Sequence, residues 1–142
     1  MSSFKVFDIA GSGMSAESVR LNTVASNLAN ADSVSGDPTQ VYQAKHPVFQ
    51  SVQALGAAAS RTAEQASASV RVLGVVTNTA APETRYDPSN PLANADGYVY
   101  GPNVNVVEEM TDMISASRSY QNNVEVMNTA RNLMLDTLKL GQ

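Results

Sequence analysis

Cysteine and tryptophan are both absent from these 142 residues. The first absence removes disulfides, thiolate nucleophiles and thiolate metal sites, and leaves the compartment open. Aromatic residues make up 6% of the chain and charged residues 15%, against about 25% charged in an average domain. Lys and Arg number nine against thirteen Asp and Glu, a net charge of −4. No basic stripe runs through the sequence, so the electrostatic footprint of a nucleic-acid partner is missing. A polybasic amphipathic helix for a membrane surface is missing too. No apolar run approaches the roughly 18 residues of a bilayer-spanning helix, so no direct membrane span is expected.

Catalytic groupings are equally scarce. His46 is the single histidine; it precedes Pro47 and has no acidic or thiol cluster beside it in sequence. Gly11-Ser12-Gly13 follows no strand and lacks the lysine of a phosphate loop, and it does not match the Gly-x-Ser-x-Gly spacing of a nucleophile elbow. Glu108 and Glu109 are adjacent, so on a helix they diverge by about 100° and do not form an acid–base pair. Asp112 lies one turn beyond Glu108, and an acidic first turn suits a helix N-terminus better than a cation site. The chain reads as a non-enzyme, with no cofactor, no metal and no small-molecule substrate. Its first residues, Met1 to Asp8, lack a charged segment followed by an apolar core, so no cleaved signal peptide is expected.

What is abundant is amide. Twelve asparagines, with many Ser, Thr and Gln, carry the polarity that charges do not. Amides are cheaper to desolvate than ions, which suits surfaces buried against other protein. Asn22, Ser26 and Asn30 run along one edge of the first helical segment, with Asn27 beside them, and Asn122, Asn123, Asn128 and Asn132 decorate the last. Buried amides must find partners, and that requirement fixes register between helices.

Proline divides the chain. All six prolines lie between Pro38 and Pro102, and the segments outside that span read as helices. Residues 4–30 carry Phe7, Met14, Leu21 and Leu28 at intervals of seven, with Ala10, Val24 and Ala25 between them. This is a narrow apolar seam. Gly11 and Gly13 lie within it and each costs about 1 kcal/mol against alanine, so this helix is expected to be weak alone or to begin after Gly13. Asn30 and Asp32 mark its end.

Residues 103–139 read as a long uninterrupted helix, opened by Pro102-Asn103 and closed by Gly141. Val106, Met113, Tyr120, Met127 and Met134 form one series of sevens. Met110, Ser117, Val124, Arg131 and Leu138 form another, widened by Val107, Ile114 and Leu135. Such a helix measures roughly 55 Å and needs a partner of similar length. The fold class expected is therefore mainly α: terminal helices paired as a coiled-coil-like hairpin, with a small irregular, β-containing middle. The chain divides at 1–32, 33–102 and 103–142. Within the middle, Val41 to Phe49 reads as an edge strand carrying Pro47, Val70 to Thr77 as a strand, and Ser51 to Ser69 and Asp87 to Gly97 as loops. The matching pentapeptides Leu28-Ala29-Asn30-Ala31-Asp32 and Leu92-Ala93-Asn94-Ala95-Asp96 are too short for a structural repeat.

The terminal segments also carry a recognisable pattern. Ser12-Gly13-Met14-Ser15-Ala16, Arg20-Leu21-Asn22 and Ala25-Ser26-Asn27-Leu28-Ala29-Asn30-Ala31-Asp32-Ser33 resemble the N-terminal signature of bacterial flagellar rod and hook proteins. Gly97-Tyr98-Val99, Pro102-Asn103-Val104-Asn105-Val106-Val107-Glu108-Glu109-Met110 and Ser115-Ala116-Ser117-Arg118-Ser119-Tyr120-Gln121-Asn122-Asn123 resemble the C-terminal one. Chain length, Asn30-Ala31-Asp32-Ser33 and Pro102-Asn103-Val104-Asn105 point to a proximal-rod member. The resemblance implies a structural subunit of the basal-body rod in the periplasm. Such a subunit stacks with copies of itself and with homologous rod proteins into a hollow, torque-transmitting shaft. It is exported by the flagellar type III apparatus without a cleaved signal. The alternative is a coiled-coil adaptor or chaperone of the export system. The expected assembly interface comprises Phe7, Met14, Leu21, Val24, Asn27, Leu28 and Asn30 on the first helix. On the second it comprises Val107, Met110, Ile114, Tyr120, Val124, Met127 and Leu138. Val24 and Ile114 are expected at a helix seam, where an introduced aspartate is costly.

Overall fold

A computed structural model describes residues 3–53 and 68–140. In chain order it contains helix α1 (Ser3–Ala29), strands β1 (Lys45–Gln53), β2 (Ala68–Thr77), β3 (Glu83–Tyr86) and β4 (Tyr98–Gly101), and helix α2 (Val106–Leu140). The described residues are therefore mainly helical, with β1 paired to β2 and β3 to β4 in two small sheets. The chain divides into two compact units. The first comprises Met1–Val19, Val48–Gly74 and Ser115–Gln142; the second comprises Arg20–Pro47 and Val75–Ile114.

Helix α1 runs without a break through Gly11 and Gly13, in agreement with the helix read over residues 4–30 and against the alternative that it begins only after Gly13. The physical reason is close approach rather than backbone freedom. A Cβ on Gly13 would come within 2.7 Å of the Asn123 amide nitrogen, and one on Gly11 would just reach the Met127 methyl at 4.0 Å. The propensity lost at Gly13 is offset by packing of α2 against the bare backbone. The helix ends where the amide of Asn30 turns back to the Asn27 carbonyl and that of Ala31 to the Leu28 carbonyl.

Helix α2 starts three residues later than Pro102-Asn103 suggests. Its N-cap is Asn105, whose side-chain oxygen accepts from the amide of Val107 at 3.1 Å and, more weakly, from that of Glu108 at 3.4 Å. Donors at the first turn of a helix have no partner within the helix, so a side-chain oxygen one residue upstream satisfies them. Asn103 serves the middle segment instead. Its oxygen accepts from the Ala44 amide, and its nitrogen donates to the carbonyls of Asn78 and Ala80.

The first expected strand is displaced. β1 begins at Lys45, four residues after Val41, and continues to Gln53. Each strand of a two-stranded ribbon keeps one open edge, which tolerates Pro47 and its missing donor. Expectation and structure agree closely for β2, whose Val- and Leu-rich run reaches Thr77. The loop expected over Ser51 to Ser69 is wrong at both ends, which are strand; its centre, residues 54–67, lies outside the described residues.

Strands β3 and β4 were not anticipated. They pair antiparallel, Glu83 opposite Gly101 and Tyr86 opposite Tyr98, and Ser35 bridges the far edge of β4 at Tyr100. Both strands are four residues long, too short to show a period. The connecting loop is held by side-chain caps: Asn94 accepts from the amides of Asp96 and Tyr98. Gly97 adopts φ 80°, beside the edge-to-face pair of Tyr86 and Tyr98. A side chain there would be strained and would meet the Tyr86 ring at 2.9 Å. The two matching pentapeptides thus do different things: Asn30 donates to the Ser26 carbonyl at the end of a helix, whereas Asn94 caps a turn.

Candidate assembly surface

Two kinds of surface are built on the terminal helices, one inward and polar, one outward and apolar. In the second unit the inward surface centres on Asn27, which is fully buried. Its amide nitrogen donates to the Lys45 carbonyl and to Glu109 Oε1, both at 2.8 Å. Its oxygen accepts from the Tyr42 hydroxyl and the Lys45 amide, both at 2.9 Å. All four hydrogen-bonding positions of the amide are used, and only one orientation of the group satisfies them. Tyr42 gives its proton to Asn27, so Ser26 donates to Tyr42 across 3.1 Å. The Lys45 ammonium lies 5.5 Å over the Tyr42 ring. Val24, Val41, Ala44 and Val99 complete the buried apolar set of this unit. Arg20 pairs with Asp112 at 2.7 Å, which gives an acid in the second turn of α2 a partner in α1.

Glu109 is 5% exposed. Burial pushes its carboxyl pKa up; the Asn27 hydrogen bond and His46 pull it back, while Asp112 and Glu108 push it further up. By sequence, Glu109 is only the neighbour of Glu108 in an acidic first turn that suits a helix N-terminus. Its spacing of seven from Ala116, and of fourteen and twenty-one from Asn123 and Ala130, was the signal available.

That spacing corrects the register of α2. Met113, Tyr120, Met127 and Met134 do lie on or near the inner face: three are half-buried and Tyr120 is 38% exposed. The companion series is Glu109, Ala116, Asn123 and Ala130, one position round from the expected Met110, Ser117, Val124, Arg131 and Leu138. Ala116 is fully buried, whereas Met110 is 51% and Leu138 69% exposed. Small and amide side chains let α1 approach between the half-buried methionines, while Met110 and Leu138 stay exposed.

Of the residues expected at the interface, Val24 and Asn27 are buried within the chain, and Phe7, Met14, Leu21, Leu28, Asn30, Val124 and Met127 are half-buried. Val107 is 73% and Ile114 57% exposed. Ile114 therefore does not sit in a seam within this chain. With Met110, these two form a stripe at i, i+3 and i+7 on the second unit's part of α2, an outward apolar face. In the first unit, Val6, Val126, Ala130 and Leu133 contribute to an open groove of about 590 Å3.

Among the described residues no group of three metal-ligating side chains forms, and no helix is long and apolar enough to cross a membrane. Residues 7–36 match the family model of flagella basal body rod proteins, and residues 95–140 match the C-terminal model of flagellar basal body rod FlgEFG proteins. The chain is 52% identical to the flagellar basal-body rod protein FlgC of Salmonella typhimurium over 142 residues, with both proteins covered completely. It belongs to the flagellar basal-body rod protein family. The FlgC of Escherichia coli O6:H1 is 53% identical over 142 residues, and that of Buchnera aphidicola subsp. Schizaphis graminum 40% over 144, again across the whole of each protein. The two matched ends of this rod-family chain contain both helices' capping turns, Asn27 and Glu109.

Proposed function

We propose that this chain is a structural, non-catalytic subunit of the proximal rod of the flagellar basal body. It assembles with copies of itself and with homologous rod proteins into a hollow shaft that carries torque across the periplasm. It reaches that site through the flagellar type III export apparatus. Residues 1–32 and 103–142 supply the rod core, their helices pair as a coiled-coil-like hairpin, and residues 33–102 form the middle region. The observation that carries this reading is the Val107, Met110 and Ile114 stripe. It is an apolar helix face left open in a chain whose relatives are rod proteins, and such faces mark interaction sites. Neighbouring subunits cover it, together with the half-buried flanks at Phe7, Met14, Leu21 and Leu28.

The test is complementation of a rod-deficient strain with Val107→Asp and Ile114→Asp. Both side chains are open, so the isolated chain is expected to keep its stability within about 0.5 kcal/mol. Assembly and swimming are expected to fail, because each aspartate is buried unpaired when a neighbour docks. Normal swimming with both variants would sink the reading. A discrete, soluble oligomer that never enters basal bodies would favour an export adaptor instead.

A further inference from the structure

Asn27 joins three parts of the second unit at one buried point: the last turn of α1, the Tyr42–Lys45 segment and the first turn of α2. Three of its four bonds go to neutral groups. The fourth goes to a carboxyl group that is almost completely enclosed. Glu108 and Asp112 lie near that carboxyl on its own helix, and Arg20 of α1 is taken up by Asp112. From β1, His46 bears on it electrostatically, while the Lys45 ammonium lies over the Tyr42 ring. A carboxylate there accepts the Asn27 hydrogen bond more strongly but must be stripped of water beside two acidic neighbours; a neutral carboxylic acid still accepts that bond, more weakly, and escapes the burial cost, which is the larger effect.

We propose that Asn27 and Glu109 form a proton-dependent latch. With Glu109 neutral the latch closes and clamps residues 42–45 onto α1 and the start of α2. With Glu109 charged the same contacts confine an anion, and the clamp loosens. Burial holds the folded-state pKa of Glu109 above its unfolded value. The group's contribution to stability is therefore fully present below the unfolded value and is lost as pH rises through the folded one. Mild acid tightens this junction, opposite to the usual effect of acid on a paired carboxylate.

Two measurements on the full-length chain test this. The side-chain carboxyl carbon of Glu109, followed by NMR across the acidic range, is expected to titrate at a higher pH than in the same chain unfolded in urea. Coincident midpoints overturn the latch, whatever the variants do. Amide exchange at Lys45, whose N–H donates to Asn27, is expected to be slower at pH 4 than at pH 7 after correction for intrinsic chemistry. Glu109→Gln should abolish that difference and be slow at both pH values. His46→Gln should keep it. An unchanged pH effect in Glu109→Gln, or its loss in His46→Gln, assigns the effect to another group and overturns the proposal.

Discussion

The two compact units use the same pair of helices differently. The second unit buries Val24, Val41 and Val99 around a saturated amide, and its polar groups meet partners within the chain. In the first unit the residues buried on its helical segments are the alanines Ala10, Ala16 and Ala116, while Leu73, Val126, Leu133, Leu135 and Leu138 stay exposed. A buried alanine contributes little apolar area, and a fully buried valine or leucine contributes about 1.5–3 kcal/mol. Both units leave large apolar side chains exposed, Val107, Met110 and Ile114 among them in the second; the difference is that the second unit's described core holds valines where the helical segments of the first bury alanines.

The sharpest way to break this comparison is a charge in each unit. Val24→Asp places an unpaired carboxylate among buried groups and is expected to cost about 4 kcal/mol, read as loss of tyrosine near-UV signal and earlier denaturant unfolding. Val126→Asp, on an exposed position of the first unit, should move the same curve by no more than about 0.5 kcal/mol. Equal losses would erase the distinction. Gly36→Ala is next in size. Its new Cβ would sit 2.6 Å from the Leu92 carbonyl oxygen, a backbone atom that cannot swing aside, so a loss of about 2 kcal/mol is expected on thermal denaturation. Gly11→Ala runs the other way. The Met127 methyl is 4.0 Å from the added carbon, so helix propensity should dominate and stabilise the first unit by up to about 1 kcal/mol. Slower amide exchange around residue 11 would register it. Smallest is Arg20→Gln: the Asp112 pair is partly exposed, solvent and salt screen it, and its loss should cost about 0.5 kcal/mol, shrinking in 1 M salt.

The helices were legible because α1 and α2 are long enough to repeat their pattern several times. Strands β3 and β4 were not, since four residues show no period and Glu83-Thr84-Arg85-Tyr86 carries no apolar alternation. Within the candidate site, Val24 and Asn27 stood out by position and type. Glu109 did not, because burial of a carboxyl beside two acids is invisible until its enclosure is known. The helix cap falls on Asn105 rather than Asn103 for a similar reason. Either can cap a helix, and which one does depends on where Ala44, Asn78 and Ala80 bring their backbone groups.

Sequence alone determined the two terminal helices, the proline-bounded middle, the lack of catalytic groupings and the family pattern at both ends. These are properties of residue type and spacing, and they act locally along the chain. Tertiary structure decided which heptad series of α2 turns inward. Period alone leaves that choice open, because a stripe of Met110, Ser117 and Val124 and a stripe of Glu109, Ala116 and Asn123 differ by one residue. Space decides it: the bare backbone at Gly13 admits Asn123, the amide of Asn27 has a donor for Glu109, and the bulkier apolar residues Val107, Met110 and Ile114 are left facing out.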